Sequence, residues 1–266
     1  TPEWETGRTG TRHCAENIRC NFFWHGRVWD NDADFLVQPH DAPLFRHWAT
    51  AVAFSGGAAL ISADLPTLTL ARRRQLRRYF PAVDAVPQPL ELRPDRNGVR
   101  IVCMVGHGEE TTHLIACFNR GDQPRTFAID ASEVGVPAGV KCFAWNVVLA
   151  RLLGGDRRWN FLVAPRDAHV IAIRQQLDRP QFAGSSGHVA SEQVELASVR
   201  WHPRTGKLGI TRRSERAWPE RLFFIVPPNF TPKRRRNVRF AQKSRLLTLD
   251  LCDISTRKIV LAFFLS

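Results

Sequence analysis

Residues 22–37 read FFWHGRVWDNDADFLV. An aromatic run leads into Trp29; Asn31, Asp32 and Asp34 then crowd within four positions before the chain turns apolar again. Polar groups bracketed in this way predict a strand end opening into a loop, where they are satisfied by partners or held for a ligand. Val28–Trp29 and Phe35–Val37 are expected to flank that N-D-A-D loop.

On the amino-terminal side, Cys14, Ile18 and Phe22 recur at helical spacing, predicting a helix from about Gly10 to Trp24 that ends near Gly26. On the other side, Asp41 ahead of Pro43 is placed to cap a second helix running through Phe45, Trp48, Ala51, Val52 and Phe54. Ser55-Gly56-Gly57 ends that helix, its glycines suited to close helix–strand packing. Ala58–Ile61 then reads as a buried parallel strand. Asp64 follows as a helix N-cap, and a third helix passes through Leu70 and Leu76 to Tyr79. Alternating helices and strands are the rhythm of a β/α barrel or a doubly wound sheet. About two units are present, too few for a closed barrel.

The rhythm changes at Pro81. Alternating runs over 100–105, 113–119, 125–129, 141–148, 160–163 and 169–174 are separated by Gly, Pro or Asp clusters, as in an antiparallel sandwich. Asn119–Asp122 and Leu153–Asp156 read as turns. Phe182–Gly187 (FAGSSG) reads as a linker. Further strands are expected over 193–201, 207–211, 221–226, 246–252 and 258–265, with His202–Gly206 as a hairpin turn and 227–245 as a loop.

Composition supports a globular chain: 44% of the 266 residues are hydrophobic, enough for a substantial core. The net charge of +13 invites a nucleic-acid reading. Only Lys233–Arg236 forms a tight basic run, however, and no helix-turn-helix, zinc-finger or RRM signature accompanies it, so no nucleic-acid partner is expected. Six cysteines show neither C-x-x-C nor zinc-ligand spacing, and Cys103, Cys117 and Cys142 read as small buried hydrophobes. No cofactor and no metal are expected. No stretch supplies the roughly 18–20 apolar residues of a membrane span. The chain opens on Thr1 and reads as a fragment, so a signal peptide is not legible; a cytoplasmic location is favoured. Oligomeric state is left open.

Residues 1–80 resemble the carboxy-terminal part of the catalytic barrel in clan D glycoside hydrolases, the α-galactosidase (melibiase) families, and family 36 above all. The family's W-x-N-D-P-D segment is similar to Trp29-Asp30-Asn31-Asp32-Ala33-Asp34, with Ala33 in the proline position. Its later Ser-Gly-Gly and S-D-D-L elements resemble Ser55-Gly56-Gly57 and Ser62-Ala63-Asp64-Leu65. Farther on, Trp145 through Leu153-Gly154, and Gly184–His188 followed by a strand ending in Trp201, match the family's order of motifs. The resemblance implies a fold that is α/β plus all-β: the last units of a (β/α)8 TIM barrel over 1–81, an antiparallel β-sandwich over 82–176, and an additional β-rich region over 177–266.

It also implies a retaining glycosidase acting on terminal α-linked sugars, with an oligosaccharide or α-galactoside as partner. Such a reaction needs two aspartates flanking the scissile bond, about 5–5.5 Å apart. Pro2-Glu3-Trp4 resembles the family's P-x-W element, and that alignment places both catalytic aspartates upstream of Thr1. No catalytic residue is therefore assigned, and the chain as given is expected to be inactive. Asp34, Asp32, Trp29 and Trp4 are the candidate substrate-binding residues. Asp32 and Asp34 are not a catalytic pair, because residues two apart on an extended segment point to the same side. The alternative is a non-catalytic β-sandwich module that binds carbohydrate or serves a structural role.

Overall fold

A computed structural model describes residues 10–36, 42–91, 97–213, 221–251, 254 and 256–265. Its amino-terminal unit is a small α/β assembly. Helix α1 spans Thr11–Asn21, strand β1 Asp32–Leu36, helix α2 Ala42–Ala53, strand β2 Ala58–Ile61 and helix α3 Leu70–Arg77. The strands β1 and β2 pair in parallel, as the helix–strand alternation predicts, with a bulge between Asp32 and Phe35. Asp41, the expected cap of α2, lies outside the described residues.

Two expectations for this unit are corrected. Asp32, Ala33 and Asp34 belong to β1 itself rather than to a loop. Strand β2 alternates between exposed and half-buried, with Leu60 53% exposed, because no further strand covers it among the described residues. Helix α2 is the buried element. Leu44, Phe45, Ala49, Val52 and Ala53 are all enclosed, which the small alanine side chains allow by letting neighbours approach closely.

A six-stranded antiparallel sheet follows. Its strands are β3 (Gln88–Pro89), β4 (Gly98–Val105), β5 (Thr112–Asn119), β7 (Cys142–Asn146), β8 (Arg151–Gly154) and β10 (Ala168–Gln175), in the order β3-β4-β5-β10-β7-β8. A two-stranded antiparallel sheet of β6 (Arg125–Asp130) and β9 (Arg158–Val163) covers one face. Strand β5 shows why its sequence reads as nearly continuous hydrophobics. Ile115 and Cys117 point to the β6–β9 pair, while Leu114, Ala116 and Phe118 point to α1 and α2 on the opposite face. Burial pushes the Cys103 thiol up to about 12 and raises Cys117 further, in keeping with inert core cysteines.

Residues 181–265 form a second sandwich. One sheet orders β11 (Gln181–Ser185), β14 (Arg221–Ile225), β17 (Leu246–Asp250) and β16 (Val238–Ala241) as β11-β14-β17-β16. The other orders β12 (Leu196–His202), β13 (Lys207–Arg212), β18 (Lys258–Leu265) and β15 (Phe230–Pro232) as β12-β13-β18-β15. Leu222, Phe224, Leu247 and Leu249 face Leu208, Ile210, Ile259 and Leu261 across the core. The hairpin at His202–Gly206 is as expected, with His202 opposite Lys207. The 227–245 stretch is not all loop: β15 and β16 lie inside it as short edge strands. Cys252, the expected end of β17, is outside the described residues.

The expected linker at Phe182–Gly187 is instead mostly strand β11, buried along its whole length. Its glycine is a packing requirement. A Cβ on Gly184 would sit 2.3 Å from Nε1 of Trp145, a fully buried side chain. Gly and Ser here allow one sheet to lie against another's tryptophan. Phe223 on the neighbouring strand completes the contact, its ring centroid 4.6 Å from that of Trp145. The sheet containing β11 and β14 thus serves both cores, with Phe224 facing the second sandwich and Phe223 the first.

Candidate functional site

The cleft nearest the opening motif lies between α1 and β1, with a volume of about 350 Å³. Cys14, Asn17, Ile18 and Asn21 from the helix face Trp29, Asn31, Asp32 and Ala33. Of the candidate residues, Trp29 and Asp32 are therefore brought together. Only the backbone of Asp34 is described, as part of β1, and Trp4 lies outside the described residues.

The chain reaches this arrangement through a tight loop after α1. Gly26, at φ +69°, returns the backbone so that its N–H donates to Trp29 O at 2.9 Å. The left-handed conformation makes glycine the natural occupant. His25 is buried, and its Nδ1 accepts the Asn31 backbone N–H at 2.9 Å. Asn31 is buried as well, and its Nδ2 donates to Ser55 O at 3.2 Å.

The Ser-Gly-Gly element is the counterpart of this loop. A Cβ on Gly57 would meet Asn31 O at 1.6 Å, and one on Gly56 would meet His25 Nε2 at 2.6 Å. The two glycines admit the His25–Asn31 loop, not a helix against a strand as expected. The two sequence motifs therefore form one structural knot, with Asn31 satisfied internally. Trp29 and Asp32 are the exposed members facing outward.

Trp29 does not stand alone. Its ring lies 5.4 Å from Trp24, which lies 4.8 Å from Phe23, and all three are partly exposed. An apolar strip of this kind beside amides and a carboxylate suits a polyhydroxylated ring, whose C–H face stacks on indole while its hydroxyls find polar partners. Asn17 and Asn21 were not anticipated from the sequence. The signal was available: positions 14, 17, 18 and 21 share one helix face. Two of them are polar where a core-facing stripe is apolar.

Asp64 does not cap a helix with its side chain; Thr69 caps α3 instead, its hydroxyl accepting from Arg72 N at 3.3 Å. Among the described residues no group of three or more His, Cys, Asp or Glu could hold a metal ion, and no helix is long and apolar enough to cross a membrane.

The Gly184–His188 motif has a scaffolding position. His188 Nε2 donates to Pro81 O at 2.9 Å while its Nδ1 accepts Ala190 N–H at 2.9 Å, which fixes a neutral tautomer. Burial drives its pKa down to about 4, only partly offset by those backbone bonds. Arg78 binds Val147 O at 2.8 Å and Gly187 O at 3.3 Å, so one guanidinium joins the region after α3 to both sandwiches.

No protein-family model matches the chain, and no curated protein does. Among solved structures it is similar to a GH27 β-L-arabinopyranosidase from Geobacillus stearothermophilus in complex with arabinose, with a TM-score of 0.53 and 12% identity, covering 62% of this chain and 42% of that one. It is also similar to α-galactosidase I from Mortierella vinacea, with a TM-score of 0.53 and 10% identity, covering 64% and 45%. The chain thus spans less than half the length of these enzymes. At such identities the likeness is one of fold, carried by a mostly antiparallel β architecture with few helices.

Proposed function

We propose that this chain is the carboxy-terminal part of an α-galactosidase-like retaining glycoside hydrolase, its α/β unit being the last portion of a TIM barrel. The cleft of Trp29, Asp32, Asn17 and Asn21 is then one wall of the sugar pocket. The observation that carries the reading is the coupling of Trp29-Asp30-Asn31-Asp32 to Ser55-Gly56-Gly57. Two motifs of the resemblance interlock beside a cleft, in a chain whose fold is similar to solved glycosidases. Placement in family 36 rests on that order of motifs. The exposed, half-covered β2 is what a strand would show if it belonged to a larger parallel sheet.

Retaining hydrolysis needs an acid/base and a nucleophile on opposite sides of the anomeric carbon. Asp32 is the carboxylate lining the cleft, and no second one lines it among the described residues. The reading therefore assigns the two catalytic aspartates elsewhere and gives this chain pocket-shaping and scaffolding roles. Incubation with a chromogenic α-galactoside tests this. The chain should give no turnover above a heat-treated control, and measured turnover would overturn the placement of the chemistry.

A second reading, a non-catalytic carbohydrate-binding sandwich, is favoured by the distinct hydrophobic cluster in which Phe182, Leu208, Phe224, Leu247 and Leu261 pack together. Retention of the full chain on a dextran or galactan gel, undiminished by Trp29→Ala, would support it.

A further inference from the structure

Between Pro227 and Leu249 the chain carries seven cations and no carboxylate. The structure places them on one rim of the second sandwich. Strand β15 is the edge of one sheet and β16 the edge of the other, and Lys233–Asn237 connects the two edges. Lys233 N donates to Ala262 O at 2.8 Å, and Arg235 Nη1 to Val260 O at 2.9 Å, holding the connector against β18. Arg245 is committed to the carbonyls of Val226, Pro227 and Phe230. Lys233, Arg234, Arg236, Arg239 and Lys243 remain as exposed cations along this rim.

Charge on an edge strand commonly guards against edge-to-edge pairing. That role accounts for Arg239, which sits on β16. It does not account for Lys233–Arg236, which lie in the connector where there is no strand ladder to protect. Nor does the run hold an acid of its own; the nearest in register, Asp250, whose N–H donates to Asn237 O at 2.9 Å, has its carboxylate 3.7 Å from Arg221.

We propose that this rim binds a linear anionic polysaccharide, one bearing sulfate or carboxylate groups along its chain. Guanidinium groups suit such planar or tetrahedral oxyanions, and three of the five exposed cations are arginines. The cations follow edge strands and a connector, a ridge suited to one extended chain. Single-stranded nucleic acid is also extended, but it draws its affinity partly from bases stacked on bare aromatic faces. Here each local ring already holds a cation over one face: Lys233 Nζ lies 4.4 Å from the centroid of Phe264, and the Arg245 guanidinium 5.0 Å from that of Phe240. The inference does not depend on the glycosidase reading.

Calorimetric titration of the full chain with heparin, with polygalacturonate, with neutral dextran, and with single-stranded and duplex oligonucleotides of matched charge tests the proposal. The anionic glycans are expected to bind, and to weaken steeply once salt shortens the screening length to about 3 Å. The variant R234Q/R236Q/R239Q/K243Q should bind roughly tenfold or more weakly with an unchanged melting temperature, since all four side chains are exposed. The single variant Arg234→Glu should weaken binding in the same direction. Equal affinity of the wild type and the variants, or tighter binding of either oligonucleotide than of the glycans, would overturn it.

Discussion

Arg46 on α2 and Asp167 ahead of β10 form a two-point ion pair, Nε to Oδ1 at 2.9 Å and Nη2 to Oδ2 at 2.5 Å, with the Asp167 side chain 2% exposed. The Asp167 backbone is engaged as well: its carbonyl accepts from Asn119 N at 2.9 Å and faces His47 Nδ1 at 3.4 Å. This is the polar latch between the α/β unit and the six-stranded sheet. Removing Arg46 leaves a buried carboxylate short of its countercharge, which costs about 3 kcal/mol. Urea denaturation of Arg46→Ala should show that loss. A change below about 1 kcal/mol would mean that water replaces the guanidinium without penalty.

Two glycines near the cleft should respond differently to alanine. Gly57→Ala would drive a Cβ into the Asn31 backbone, so the loop must move; roughly 2–3 kcal/mol of destabilisation is expected. Gly26→Ala meets nothing within 4 Å and carries only its positive φ, for about 1–2 kcal/mol. Hydrogen exchange over Thr11–Asn21 should rise more in the first variant than in the second. The reverse order would refute the coupling of the two motifs.

His188 gives the fold an acid limit. Its folded pKa is lowered to about 4 from an ordinary 6.5 by burial. The unfolded chain thus takes up a proton at a higher pH than the folded one. The neutral form's contribution is complete above pH 6.5 and is lost progressively as pH falls toward 4, by roughly 3 kcal/mol. His47, lowered to about 3 by burial, acts in the same direction. Melting temperatures measured between pH 7 and 4 should fall, and His188→Gln should flatten part of the slope. An unchanged slope in that variant would reassign the effect.

Tryptophans separate scaffold from surface. Trp29→Ala should alter stability by no more than about 0.5 kcal/mol, its ring being 47% exposed. It should, however, abolish saturation transfer from the chain to added galactose. Trp145→Ala should cost about 3–5 kcal/mol, since the ring is fully enclosed. Persistence of saturation transfer in Trp29→Ala would remove the cleft from consideration as a sugar site.

The main strands were legible because their apolar residues alternate: 113–119 and 169–174 coincide with β5 and β10 within a residue or two. Short edge strands were not. Leu153–Asp156 reads as a turn and 227–245 as a loop, although β8 runs on to Gly154 and β15 and β16 lie within the latter, since edges need few apolar side chains. The buried β11 was missed for a different reason. FAGSS has a linker's composition, and only the position of Trp145, 39 residues earlier in sequence, explains the need for small residues there. At the cleft, Trp29 and Asp32 were recognisable from crowding. Asn17 and Asn21 become meaningful only once α1 is seen to face β1.

The sheet that serves both cores has a consequence for inheritance. A sandwich that owns all its faces can be shuffled among genes as a unit. Here, excision after residue 176 would strip Trp145 of Gly184 and Phe223, while the excised piece would expose Phe223 and Ile225 to water. Substitutions at Trp145 and Gly184 are therefore bound to be accepted only in step with one another. The two sandwiches are constrained to evolve as a single body.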